Sequence, residues 1–173
     1  MKKLISTIAI LVFAVIFTND VQAQKFPKLD KSPADIVLHP RRAAEKTYKI
    51  VYSRPQLDGR SLDELAPKGK VWRTGANEAT QITFYKDVTF GGKAVKAGTY
   101  SLFTIPGDKA WTIILNSATN GWGAFGHNEK KDVARVSGAV SKSEKSIEAF
   151  TIMADRDKLL LGWGTTVVTV TVK

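Results

Sequence analysis

The sequence predicts an all-β domain, an antiparallel β-sandwich with a closed β-barrel as the alternative. Apolar and polar residues alternate over short runs rich in β-branched and aromatic residues, most clearly in Thr166–Val172. Turn-forming residues separate these runs at close spacing. A helical pattern is confined to Ser61–Ala66, where Ser61 is a suitable N-cap and Glu64 follows three residues later. We therefore expect at most one or two short helical turns.

The predicted strands are short and follow one another through most of the chain. In order they are Ala34–His39, Lys46–Ser53, Thr80–Tyr85, Tyr100–Ile105, Trp111–Asn116, Asp132–Val136, Ile147–Met153, Lys158–Trp163 and Thr166–Val172. Gly91-Gly92 predicts a tight hairpin between Asp87–Phe90 and Lys93–Val95. Pro106-Gly107-Asp108 and Asp155-Arg156-Asp157 are typical of hairpin loops.

The first 23 residues have the pattern of a secretory signal peptide. Lys2 and Lys3 precede the apolar run Leu4–Phe17, and Val21-Gln22-Ala23 resembles a cleavage site. The alternative, a membrane anchor, is disfavoured because the run is shorter than the roughly 20 residues that cross a bilayer. Cleavage after Ala23 predicts a periplasmic or secreted protein without stable membrane insertion. Residues 24–33 are expected to form a flexible lead-in, and residues 34–173 a single domain.

Composition excludes several kinds of site. The chain has 173 residues and no cysteine, which excludes disulfides, thiolate metal ligands and cysteine nucleophiles. Its two histidines, His39 and His127, argue against a histidine-rich metal site, so neither a metal nor a cofactor is expected. No G-x-S-x-G motif is present, and no catalytic residue is assigned. The net charge of +10 is spread along the chain, which together with export argues against a nucleic-acid partner.

Two segments carry the candidate ligand-binding residues. In the segment Lys70–Gln81, Gly75 permits a backbone bend that could bring neighbouring side chains together. Side chains of the types that bind polar ligands surround it, and the candidates are Trp72, Arg73, Asn77 and Glu78. Arg54, held extended by the following proline, is a possible second cation for this site. The alternative is structural: Arg73 pairs with Glu78, and Trp72 belongs to the core.

The second segment, Asn116–Asn128, is rich in glycine but also contains Trp122 and Phe125. An exposed Trp122 could stack on a sugar ring, with His127 supplying hydrogen bonds. Alternatively, both aromatic residues cover an open end of the sandwich.

The chain resembles a known family in four motifs. These are Tyr52–Pro55, Gly69–Thr80, Ala97–Pro106 and Trp122–Ala124, and they resemble the exported domain-of-unknown-function family numbered twenty-nine-eleven, common in Bacteroidetes-type bacteria. The resemblance extends from about Ser32 to the C-terminus. It implies a secreted or periplasmic β-rich domain, with no catalytic residues to transfer.

Three functions remain open at this stage. We expect a binding module for a small polar or carbohydrate-like ligand, with Arg54, Arg73, Asn77, Glu78 and Trp122 lining one pocket. The alternative is a cell-envelope protein-interaction or structural domain without a small-molecule site. A hydrolase that uses Glu78 as general base is less favoured, because the sequence offers it no partner acid.

Overall fold

The computed structural model describes residues 25–173, so the predicted signal peptide lies outside the described part. The all-β prediction is confirmed. Residues 25–33 contain no helix or strand. The strands are β1 (Ala34–His39), β2 (Tyr48–Ser53), β3 (Gln81–Phe84), β4 (Val88–Phe90), β5 (Lys93–Val95), β6 (Gly98–Ile105), β7 (Ala110–Asn116), β8 (Asp132–Asp155) and β9 (Lys158–Thr171). A four-residue helix, α1 (Leu62–Leu65), and a 3₁₀ turn at Glu129–Lys131 complete the secondary structure of this part.

Seven strands form one antiparallel sheet in the order β1-β2-β3-β6-β7-β8-β9, and β4 and β5 form a separate hairpin. The seven-stranded sheet is curled. The chain just after β2 approaches the middle of β8, where Gln56 forms a bridge with Ala149 and the Leu57 N–H donates to Glu148 O at 3.0 Å. Within residues 25–173 the strands do not close into a barrel, so the barrel alternative is not the fold.

The hairpins and the helix form where the sequence predicts them. Gly91-Gly92 joins β4 to β5, and Pro106–Asp108 lies between β6 and β7. The α1 helix has a complete capping box: the Ser61 side chain accepts from the Glu64 N–H, and the Glu64 carboxylate accepts from the Ser61 N–H. This arrangement satisfies two backbone donors that a helix start otherwise leaves unpaired.

The four strands predicted after residue 131 are in fact two long ones, which corrects the sequence interpretation. The polar run Ser141–Ser146 indicates a loop by composition, but β8 continues through it. The β8–β9 pairing shifts register between Lys142 and Ile147 and again before Thr151. Such bulges bend a strand without ending it, and exposed polar side chains are compatible with its solvent face.

The main core lies inside the curled sheet. At its centre, Trp72 stacks on Trp163 with ring centroids 5.3 Å apart, and its ring meets those of Trp111 and Phe150 edge to face. All four side chains are buried. Offset and edge-to-face contacts are the favoured arrangements of aromatic rings, so this cluster is a major source of stability.

We expect Gly91→Ala to destabilise the domain more than Gly92→Ala. Both glycines have positive φ, which costs an alanine about 1 kcal/mol. A Cβ on Gly91 would also lie 2.6 Å from the Cβ of Val136, whereas one on Gly92 meets nothing within 4 Å. The expected losses in unfolding free energy are about 2 kcal/mol or more and about 1 kcal/mol, respectively. Urea denaturation measures both, and equal losses would contradict the close contact at Gly91.

Among residues 25–173, no helix has the length and apolar character needed to span a membrane.

Candidate functional site

Two connecting segments, 70–80 and 117–131, meet on the outer face of the curled sheet, although the Trp72 side chain of the first segment enters the main core. Beneath them is a second, smaller core of Ala79, Phe103 and Ile114, with Ala124 packed against it. Phe103 and Ile114 face outward because their neighbours on β6 and β7, Leu102 among them, face the main core. The two candidate segments of the sequence analysis are therefore brought together by apolar packing on the sheet.

The backbones of the two segments pair with each other. The Ala79 N–H donates to Gly121 O at 3.0 Å, and the Gly123 N–H donates to Asn77 O at 2.9 Å. These two bonds flank an antiparallel bridge between Glu78 and Trp122. In such a non-hydrogen-bonded pair, opposite side chains lie on the same face with Cβ atoms about 4.5–5.5 Å apart. The Glu78 and Trp122 side chains therefore leave the backbone next to each other on the same face.

Both members of this Glu78–Trp122 pair are accessible. Trp122 is 61% exposed, unlike the other three tryptophans, which are buried in the main core. Glu78 is exposed as well. Each of the two segments reaches this position through an asparagine with positive φ, Asn77 in the first and Asn120 in the second. Asparagine tolerates this conformation better than most residues. Exposed aromatic rings are unfavourable in water, so a ligand that covers Trp122 gains apolar burial.

A shallow cavity of about 240 Å³ adjoins the pair through Glu78. Its lining consists of Ala34, Val51, Tyr52, Ser53, Glu78, Ala79 and Gln81. The Gln81 amide also donates to the Asn120 side chain at 2.9 Å, which joins β3 to segment 117–131, the aromatic loop. The cavity is smaller than the roughly 300–1,000 Å³ of sites that enclose drug-sized ligands. It therefore suits a single small ring or one end of a longer ligand.

A buried polar cluster holds the root of the aromatic loop. Asp132 accepts hydrogen bonds from the Asn116 amide and the Arg135 guanidinium, each at 2.7 Å, and lies 3.1 Å from His127 Nε2. The side chains of His127 and Asp132 are only 7% and 8% exposed. The His127 ring packs edge to face on Phe103. His127 thus anchors the loop from below, where its Nε2 contacts Asp132.

The electrostatics of this cluster favour an ionised Asp132. Burial alone would raise the pKa of its carboxyl. The hydrogen bonds from Arg135 and Asn116, together with His127, outweigh burial and lower the pKa below its usual value. The loop root is therefore held by a charged carboxylate at neutral pH.

The Arg54 and Trp72 side chains contact other parts of the fold and form no hydrogen bond with Glu78 or Trp122 within the described residues. The Arg54 guanidinium donates to Phe150 O and to the Thr151 hydroxyl on β8, and to Asp35 on β1 at 3.3 Å. It links the two ends of the curled sheet. Trp72 lies in the main core, as the structural alternative expects.

Arg73 and Asn77 flank the pair in sequence but have different surroundings. The Arg73 Nε is buried and has no hydrogen-bond partner among the described residues, so it does not bond to Glu78. Desolvation lowers the pKa of this guanidinium. Asn77 contributes its backbone carbonyl to the pairing with Gly123. Of the predicted site residues, the structure brings Asn77, Glu78 and Trp122 together.

Sequence reasoning overlooked Asp132 and Asn116, which it treated only as strand ends. The Asn116 side chain is buried, accepts from the Ala118 N–H and donates to Asn128 O, so it joins both ends of the loop. The one signal in the sequence is that polar residues flank the glycine-rich segment on both sides. Their convergence depends on the pairing of β7 with β8.

The comparisons with known proteins yield one match. The family model described as protein of unknown function (DUF2911) matches residues 32–172. Comparison with curated proteins and with solved structures found no match.

Proposed function

Because the chain belongs to the DUF2911 family of proteins of unknown function, we propose a function from its geometry: an exported binding module for a carbohydrate-like ligand. The observation that carries the proposal is that two accessible side chains, the Trp122 indole and the Glu78 carboxylate, extend from directly opposite positions of a backbone bridge. Export is part of the proposal and rests on the signal-like pattern of residues 1–23.

Carbohydrates match this pair chemically. The C–H face of a sugar ring covers an indole with apolar contact, while ring hydroxyls donate to a carboxylate. Glu78 and the neighbouring Gln81 offer acceptors and donors at the edge of the cavity. Nucleic-acid bases also stack on aromatic rings. The negative charge of Glu78 disfavours the phosphates that accompany them, which favours a neutral, hydroxyl-rich ligand.

The Trp122→Ala variant tests the proposal. We expect it to weaken binding of N-acetylglucosamine oligomers or maltose about tenfold or more, since loss of stacking and burial removes about 1.4 kcal/mol. In the unchanged protein, these sugars should protect tryptophan fluorescence from acrylamide, because Trp122 is the exposed tryptophan. Glu78→Gln should also weaken binding while leaving the protection by bound sugar detectable.

Phe125→Ala is the matched control. Phe125 lies on the same loop and is 92% exposed, but it does not stand opposite Glu78. Its removal should leave sugar affinity within about twofold, a surface effect below 0.5 kcal/mol. The carbohydrate proposal is wrong if no sugar protects Trp122 from acrylamide. It is also wrong if Trp122→Ala and Phe125→Ala bind the sugars equally well.

A second proposal, an envelope protein-interaction domain, is supported by apolar residues on the solvent face of β1 and β2. Ile36 and Val51 are paired across these strands and exposed, and Leu38 is exposed two residues further on. A hydrolase based on Glu78 is less favoured, because glycoside hydrolysis needs two carboxylates and Glu78 is the one acidic residue lining its cavity.

A further inference from the structure

A second cavity, separate from the Glu78–Trp122 pair, lies between the α1 region, the β6–β7 hairpin and the bend of β8 and β9. Its volume is about 370 Å³, which is within the range of sites that enclose small molecules. Leu57, Trp111 and Val140 form the apolar part of its lining. Trp111 also packs against Trp72, so this wall is continuous with the rigid centre of the core.

Charged side chains surround the apolar wall, and they differ in whether an opposite charge pairs with them. Lys68 bonds to Asp108 at 2.6 Å and lies 3.7 Å from Asp63, so the two aspartates offset its charge. The hydrogen bond to Asp108 and the attraction of both carboxylates raise the pKa of Lys68. This ion-paired group ties the α1 region to the β6–β7 hairpin and carries one net negative charge, so any attraction for an anion must come from the other cations of the lining.

Two other cations in the lining form no salt bridge within the described residues. Arg60 donates to the backbone carbonyls of Leu57 and Gln56, and the nearby Glu64 carboxylate, whose pKa Arg60 helps to lower, offsets part of its charge. Lys142 has no ion-pair partner in the part of the chain that the structure describes. Lys142 is paired across the sheet with Thr166, so the two side chains leave the sheet on the same face, and both residues line the cavity.

We propose that this cavity binds a small organic anion with hydroxyl groups, of the class of a sugar acid. Lys142 supplies most of the positive charge with a contribution from Arg60, Thr166 supplies a hydroxyl on the same face as Lys142, and Trp111 and Val140 supply an apolar wall. The inference is independent of the proposed function, since none of these residues belongs to the Glu78–Trp122 pair.

Titration with D-glucuronate, followed by ¹H–¹⁵N NMR, tests this inference in the chain 24–173. The indole N–H signal of Trp111 and the backbone signals of Thr165 and Thr166 should shift with rising glucuronate. D-glucose, the neutral counterpart, should bind at least about fivefold more weakly, since it lacks the charge-assisted contacts. Inorganic phosphate alone should shift the Lys142 and Thr166 signals and compete with glucuronate.

Lys142→Met should weaken glucuronate binding about fivefold or more. Lys145→Met is the matched control, because Lys145 is an exposed lysine on the same strand outside the cavity lining. The affinity of this variant for glucuronate should be unchanged. The Trp122→Ala variant should also bind glucuronate normally, which separates this site from the carbohydrate proposal. Equal binding of glucose, equal loss in both lysine variants, or the absence of shifts with glucuronate would overturn the inference.

Discussion

Trp72→Ala should lower the free energy of unfolding by about 4 kcal/mol, the largest effect that we expect from a single substitution. Trp72 is buried, stacks on Trp163 and contacts Trp111 and Phe150 at their edges. An alanine removes all three ring contacts and leaves a cavity that the surrounding rings cannot readily fill, because each of them is held by its own strand or loop. A whole domain is stabilised by only about 5–15 kcal/mol, so this loss is a large fraction.

Guanidinium denaturation, followed by far-ultraviolet circular dichroism, measures the effect without relying on tryptophan emission. Trp72→Phe is the milder companion variant, which keeps the aromatic contacts in part and should lose less. The comparison with Trp122→Ala is informative, because that tryptophan is exposed and its removal should change stability by about 0.5 kcal/mol or less. A loss below about 1 kcal/mol for Trp72→Ala would show that the aromatic cluster is not central to stability.

Asp132→Ala should cost about 3 kcal/mol and loosen the aromatic loop. The substitution removes one acceptor each from Arg135 and Asn116 and the contact to His127, whose side chain is largely buried. Amide hydrogen exchange should become faster in the loop between residues 117 and 131. Glu129→Ala is the control: its carboxylate also bonds to Arg135 but is 76% exposed, so its loss should cost at most about 0.5 kcal/mol.

Acid should reproduce the effect of removing Asp132. The pKa of its carboxyl is lower in the folded protein than the roughly 3.9 of an unfolded chain. Its contribution to stability is therefore complete above about pH 5, begins to decrease as the unfolded-state carboxyl becomes protonated, and is lost as pH falls through the lower, folded-state pKa. Denaturation at several pH values should show this loss in the unchanged protein and a smaller one in Asp132→Asn. Equal acid dependence in both would contradict a special role for Asp132.

Much of the fold follows from local patterns. The capping box at Ser61 and Glu64, the hairpin at Gly91-Gly92 and the extent of β1 depend on residues within a few positions of one another, so the sequence predicts them directly. The continuity of β8, in contrast, does not follow from a local pattern. A polar run between two apolar strands has the composition of a loop. Whether it continues as a strand depends on a distant partner, β9, which satisfies its backbone groups.

The same distinction applies to the candidate site. The residue types within two short segments singled out Glu78 and Trp122 as residues able to bind a ligand, and the same local reasoning added Arg54 and Trp72 to the predicted site. Only the tertiary structure shows which of these residues lie together at the surface and which belong to the core or to other contacts. It places Trp72 in the core and links Arg54 to β8, and it pairs Glu78 with Trp122.

The sequence by itself determined the strand-rich class, the positions of the tight turns and the residue types available for binding. Those properties arise from alternation and turn chemistry within short segments. The tertiary structure alone decided the curl of the sheet, the buried network around Asp132 and the surface on which Trp122 stands. The physical reason is that each of these requires residues far apart in the chain to meet, through strand pairing and apolar packing that no local pattern encodes.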